Sequence, residues 1–172
     1  MQILRQLPFR DTAHSLDVAG ETVTIRPFQI VVWVSLGTHE IDDSAPRFPA
    51  ILDTGHNHNF SISDDHLRKW AHLSKESFGS LGSIFVNRQE IPLLSGVLWI
   101  HRNRPGTTDL LKRPFRLDVS QGFALYPTSS PHVPRLPLLG IRGIVKSQLK
   151  LTIEGQGQKV SLRGPRHLRA EQ

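Results

Sequence analysis

Apolar and polar residues alternate along Phe28-Gln29-Ile30-Val31-Val32-Trp33-Val34-Ser35-Leu36, which places Phe28, Ile30, Val32, Val34 and Leu36 on one face and predicts a strand. Gly37 to Pro49, with Asp42, Asp43, Ser44 and Pro46, reads as a polar turn. Phe48-Pro49-Ala50-Ile51-Leu52 then runs as a second apolar strand into Asp53-Thr54-Gly55. Ser63 ahead of Asp64-Asp65 is an N-cap with acid in the first turn, so a short helix is predicted with Leu67, Trp70, Ala71 and His72 as its inner stripe and an end near Ser74.

From Ser83 the pattern returns to strand through Ile84-Phe85-Val86. It turns near Asn87-Arg88-Gln89, and continues through Ile91 to Leu94 and Val97 to Ile100. Pro92 predicts an edge strand. Further strands are predicted over Phe115-Arg116-Leu117-Asp118-Val119, Phe123-Ala124-Leu125-Tyr126 and Leu149 to Ile153, the last turning at Gly155-Gln156-Gly157 into Val160-Ser161-Leu162. Ile141, Ile144 and Val145 recur at helical spacing. The sum is a mainly β domain with one or two short helices.

The chain has 172 residues, 38% of them apolar and 21% charged, which fits one domain with its own core. No stretch approaches the roughly 18 consecutive apolar residues of a membrane helix, and the opening residues show no basic segment followed by an apolar run. A cytoplasmic location without membrane association is expected. The absence of cysteine excludes disulfides, thiolate metal sites and cysteine nucleophiles. The net charge is +6, but Arg163, Arg166, His167 and Arg169 crowd the end of the chain and the remaining basic residues form no aromatic-interleaved stripe. A solvated, disordered tail over 164–172 is expected, and the charge pattern argues against a nucleic-acid partner.

Asp53-Thr54-Gly55 directly after an apolar strand combines a carboxylate on a turn, a hydroxyl to anchor that turn and a glycine that admits close backbone approach. Alone, the tripeptide is equally a tight turn with an Asx hydrogen bond. Together, however, Phe48-Pro49-Ala50-Ile51-Leu52-Asp53-Thr54-Gly55 and Leu136-Pro137-Leu138-Leu139-Gly140-Ile141-Arg142-Gly143-Ile144 resemble the two signature segments of retropepsin-like aspartic proteases. The resemblance covers about Phe28 to Leu162, so the expected organisation is an N-terminal extension over 1–26, a protease domain over 27–163 and the basic tail.

The resemblance implies a retropepsin-like acid protease fold, a closed β-barrel-like domain that is active as a homodimer. It implies Asp53 as the catalytic carboxylate, Thr54 as the hydroxyl that joins the two active-site turns across the twofold axis, and a run through Gly140 into a short helix beneath the turn. Acid proteolysis needs two carboxylates sharing one proton, and no second Asp-Thr/Ser-Gly is present, which excludes a bilobal enzyme. A peptide or protein substrate is expected, with no cofactor.

The departures from the family pattern are local. His56-Asn57-His58-Asn59 follows the glycine where a small residue is usual, and the Ser83–Leu94 hairpin stands in for a glycine-rich flap. His56, Asn57, His58, Asn87 and Arg88 are therefore the expected substrate-contacting residues, and a His56 facing Asp53 would titrate near the ordinary histidine value of about 6.5. The donors His56, His58, Asp64, Asp65 and His66 fit no metal-binding spacing, so no metal is expected. His14, His39, His72, His101, His132 and His167 read as surface or loop histidines, and Trp33, Trp70 and Trp99 as packing residues. The alternative from another class is a non-catalytic dimerisation or peptide-binding module of the same fold.

Overall fold

The computed structural model describes residues 1–165. Its strands are β1 (Gln2–Pro8), β2 (His14–Val18), β3 (Glu21–Ile25), β4 (Val31–Gly37), β5 (Phe48–Asp53), β6 (Phe60–Ser63), β7 (Ser80–Val86), β8 (Gln89–Leu94), β9 (Val97–Ile100), β10 (Phe115–Leu117), β11 (Phe123–Tyr126), β12 (Leu138–Gly140), β13 (Lys150–Glu154) and β14 (Lys159–Arg163). Two α-helices, α1 (Asp64–Ala71) and α2 (Ile141–Lys146), and a 3-10 turn at Lys75–Ser77 complete the described residues. The chain is mainly β, and no described helix is long and apolar enough to cross a membrane.

Nine strands form one sheet in the order β10-β9-β4-β5-β12-β6-β11-β8-β7. The expected closed barrel is not formed. Closure would require β10 to meet β7, but β10 has three residues and pairs only with β9, while β7 pairs only with β8, so both ends of the sheet stay open. A second sheet has the order β1-β14-β13, and β2 and β3 form a separate hairpin.

Residues 1–26, read from sequence as an extension, contribute to the core. β1 pairs antiparallel with β14, and Ile3, Leu4 and Leu7 are buried in the main apolar cluster beside Val160 and Leu162. The burial of β1 is irregular, with bulges between Gln2 and Leu4 and between Leu4 and Leu7, so period-two reading misses it. Gly164 still donates its N–H to Met1 O. Residues 166–172 of the expected disordered tail lie outside the described residues.

The helix begins where its cap predicts: Ser63 Oγ accepts the His66 N–H at 3.1 Å, and Leu67, Trp70 and Ala71 are buried. His72 is not part of the inner stripe. It ends the helix in the left-handed region, φ 55°, with its N–H on Leu67 O. The β7–β8 hairpin turns at Asn87 and Arg88, both left-handed (φ 47° and 69°), as a two-residue turn suited to strand twist requires. Pro92 is in the strand next to the edge, not on it. The position tolerates proline because the β11 ladder on that side reaches only Leu93 and Leu94.

β6 and β12, which the hydrophobic pattern does not reveal, organise the centre of the sheet. β12 is inserted between β5 and β6, parallel to the first (Gly140 opposite Asp53) and antiparallel to the second (Leu139 opposite Phe60). β6 is flanked on its other side by a parallel β11, which buries all four of its residues including Ser61 and Ser63.

Candidate active-site turn

β5 delivers Asp53 to the end of its buried run, where the side chain is only half-buried. The chain then turns sharply: Gly55 N–H donates to Asp53 Oδ1 at 2.9 Å and His56 N–H to Asp53 O at 3.2 Å. This is an Asx-type turn, and it fixes one carboxylate oxygen while the other stays free. Thr54 and Gly55 are exposed, and the Thr54 hydroxyl has no hydrogen-bond partner among the described residues.

The turn rests on β12 and α2. Gly140 donates its N–H to Asn59 O and Ile141 to His56 O, both at 3.1 Å. A Cβ at Gly140 would lie 1.9 Å from His58 O and 2.5 Å from His56 O, so the 56–58 backbone passes over this strand at a distance that only glycine permits. Gly143 in α2 approaches Asn59 less closely, with a Cβ there 3.0 Å from Asn59 O. Asn59 is itself buried and donates Nδ2 to Gly122 O.

His56 folds back from the turn, with its Nε2 2.7 Å from Ser61 Oγ and its ring edge-on to His58 at 5.2 Å. Burial, reinforced by the neighbouring His58, pushes its pKa down to about 4 against the weaker upward pull of Asp53. This corrects the expectation of a histidine titrating near 6.5: His56 is a neutral filler of the turn, not a cation beside the carboxylate. His58 is lowered as well, by burial and then by the Arg142 guanidinium on α2.

Asp53, Thr54, Gly55, His56, Asn57 and His58 thus share one loop. Asn57 is exposed, and Asn87 and Arg88 are exposed at the hairpin tip. The tip's own hydrogen bonds go to the loop before β12: Asn87 Nδ2 lies 3.4 Å from His132 Nδ1, and Ser130 Oγ donates to Gln89 Oε1. Phe85 stands 74% exposed on the hairpin, whereas Ile84 packs with Ile91, Ala124 and Tyr126 on the opposite face.

The Asp64 and Asp65 carboxylates are engaged by Arg68 and Lys69 one helical turn on, and His66 stacks on Trp70 at 3.9 Å. Among the described residues no three His, Asp or Glu side chains converge on a position for a metal ion. His101, read from sequence as a surface or loop residue, is 2% exposed with its Nε2 2.9 Å from Ser35 Oγ. Trp70 and Trp99 are buried and Trp33 is half-buried. His167 lies outside the described residues.

Ser61 and Arg142 are the members of this neighbourhood that sequence reading did not single out. Ser61 belongs to Phe60-Ser61-Ile62-Ser63, whose alternation is too short by itself to predict a strand. Comparison with protein-family models, with curated proteins and with solved structures returns no match.

Proposed function

We propose that the chain is a retropepsin-like aspartic endopeptidase, acting as a homodimer in which Asp53 of each copy meets at a twofold axis. The observation that carries this reading is the insertion of β12 between β5 and β6, which braces an Asp-Thr-Gly turn through a glycine in backbone contact with the loop above it. Such a brace serves a carboxylate that must be held rigidly while remaining open to solvent. The unpartnered Thr54 hydroxyl and exposed Gly55 are the groups such a pairing would cover.

In the dimer two like charges in contact share a single proton. The ionised carboxylate takes a proton from a water molecule as the water oxygen attacks the scissile carbonyl carbon, and the other carboxyl gives its proton to the carbonyl oxygen. A tetrahedral diol results. One of its hydroxyl protons returns to a carboxylate while a carboxyl proton moves to the amide nitrogen. The C–N bond then breaks to leave an acid and an amine. The β7–β8 hairpins supply the surface against which an extended peptide lies, with backbone hydrogen bonds giving affinity and side-chain pockets selectivity. The neutral His56 keeps its own charge out of the dyad over the range above pH 4.

The test is digestion of a peptide library from pH 4 to 7 by the purified chain and by Asp53→Asn and Asp53→Ala, with sedimentation of all three. The expected result is a dimeric wild type with turnover, and dimeric variants in which it falls about 1,000-fold or more, the scale of positioned acid–base catalysis. Turnover retained in either variant, or full activity from a strict monomer, overturns the mechanism. A dimer that cleaves nothing overturns it in favour of a non-catalytic binding module.

A further inference from the structure

The β2–β3 hairpin pairs with neither of the other sheets; side-chain packing, the Glu21–Lys69 ion pair and the Arg135 hydrogen bond to Thr24 O hold it against the rest of the fold. It covers the outer face of β4 incompletely. A cleft of about 600 Å³ remains there, bounded by the end of β1, the first strand of the hairpin, the loop through Thr107 and Thr108, and β4. Its apolar floor is made by Phe9, Leu16, Val31 and Trp33, half-buried side chains that pack against the main core. The volume is in the range of about 300–1,000 Å³ occupied by small-molecule sites, and an aromatic floor ringed by polar side chains is compatible with such a site.

The one permanently charged side chain lining this cleft is cationic. Arg10 is exposed at the rim, and its guanidinium has no ion-pair or hydrogen-bond partner among the described residues. No Asp or Glu lines the cleft. The Gln29 Oε1 is already engaged, accepting from Arg26 N–H and from Arg135. His14 closes one wall with a buried Nδ1 that no protein group satisfies. A guanidinium offers a planar fork matched to a carboxylate, and an indole face favours a stacked or edge-on ring.

We propose that this cleft is a binding site for a small aromatic carboxylate, its carboxylate on Arg10 and its ring against Trp33. A monoanion fits better than a phosphate because the lining supplies a single permanently charged side chain, Arg10, beside an apolar floor. None of the lining residues belongs to the Asp53 turn, so the site stands independently of the peptidase reading.

The experiment uses the full chain with indole-labelled tryptophan and follows the three indole N–H signals by NMR during titration with 3-phenylpropionate and, separately, its neutral amide. Trp70 and Trp99 are 2% and 3% exposed, so the Trp33 signal, identified by its loss in Trp33→Phe, is the one expected to move. The expected result is a saturable shift with the carboxylate, at least fivefold weaker binding of the amide, and Arg10→Met binding the carboxylate no better than the amide. No saturable shift at Trp33, equal affinity for acid and amide, or unchanged affinity in Arg10→Met overturns the proposal. The acid–amide comparison is made on the unaltered chain and decides the matter even if the variant misfolds.

Discussion

Replacing Gly140 by alanine tests the brace beneath the Asp53 turn directly. The added methyl would be placed 1.9 Å from His58 O and 2.5 Å from His56 O, and real Cβ atoms essentially never approach closer than 3.0 Å. Both obstacles are backbone carbonyls, so no side chain can swing away. The 56–58 segment or β12 must withdraw by about 1 Å (3.0 − 1.9). That movement stretches the Gly140 N–H to Asn59 O and Ile141 N–H to His56 O bonds, both 3.1 Å, beyond hydrogen-bonding range. Two backbone bonds left unmade inside the fold cost about 1–3 kcal/mol each, so a loss of about 2–6 kcal/mol is expected, a large part of the whole stability of a small domain. The assay is urea unfolding followed by tryptophan fluorescence, with Gly155→Ala as reference because a Cβ there meets nothing within 4 Å. The reference is expected to change stability by less than about 0.5 kcal/mol. A Gly140→Ala midpoint equal to that of Gly155→Ala would refute the close passage of the loop over β12.

Other consequences concern pH and buried polar groups. Ser35 donates its hydroxyl to Pro46 O at 2.7 Å, so His101 Nε2 must donate to Ser35 Oγ, and the unpartnered Nδ1 then carries the lone pair. Burial, aided by the Arg47 charge, pushes its pKa down to about 4, as burial does for His56. The unfolded chain binds these protons below about pH 6.5 and the folded chain only near pH 4, so stability is complete above 6.5 and falls as the pH drops through that window, by up to about 3 kcal/mol for the buried His101 and by less for the half-buried His56, whose charge solvent partly screens. Urea midpoints that stay level between pH 7 and 4.5 would contradict this. Asn103, 1% exposed, accepts the Arg5 N–H and donates to Arg5 O, Arg104 O and Thr107 O; Asn103→Ala is expected to cost about 2–4 kcal/mol, and a thermal midpoint shifted by less than about 2 °C would count against that role. Ser63→Ala removes the α1 cap at a cost of about 1 kcal/mol, and a urea midpoint equal to that of the unaltered chain would count against the cap.

The amino-acid sequence by itself determined the elements whose signals are local. Strand β5, strand β4 from Val31 onward, the helix capped by Ser63, the Asn87–Arg88 turn and the glycine-bearing turn after β13 are legible because alternation, capping and left-handed turn residues act within a few positions, whereas Phe28, which the alternation places on the inner face of β4, lies before the strand, left-handed (φ 64°) and exposed. The Asp53-Thr54-Gly55 tripeptide is likewise visible as a carboxylate at the end of an apolar strand.

What surrounds that carboxylate was decided only in three dimensions. β12 has three residues and β6 four, too short for a period to be recognised, and they are strands because each is flanked on both sides by partners far away in the chain. Long-range pairing also brought β1 onto β14, making part of the core from a stretch that reads as an extension. Burial worked the same way on chemistry. His56 and His101 carry no local mark of being neutral. The desolvation that lowers their affinity for a proton comes from elements that are distant in sequence and adjacent only when the sheet has assembled.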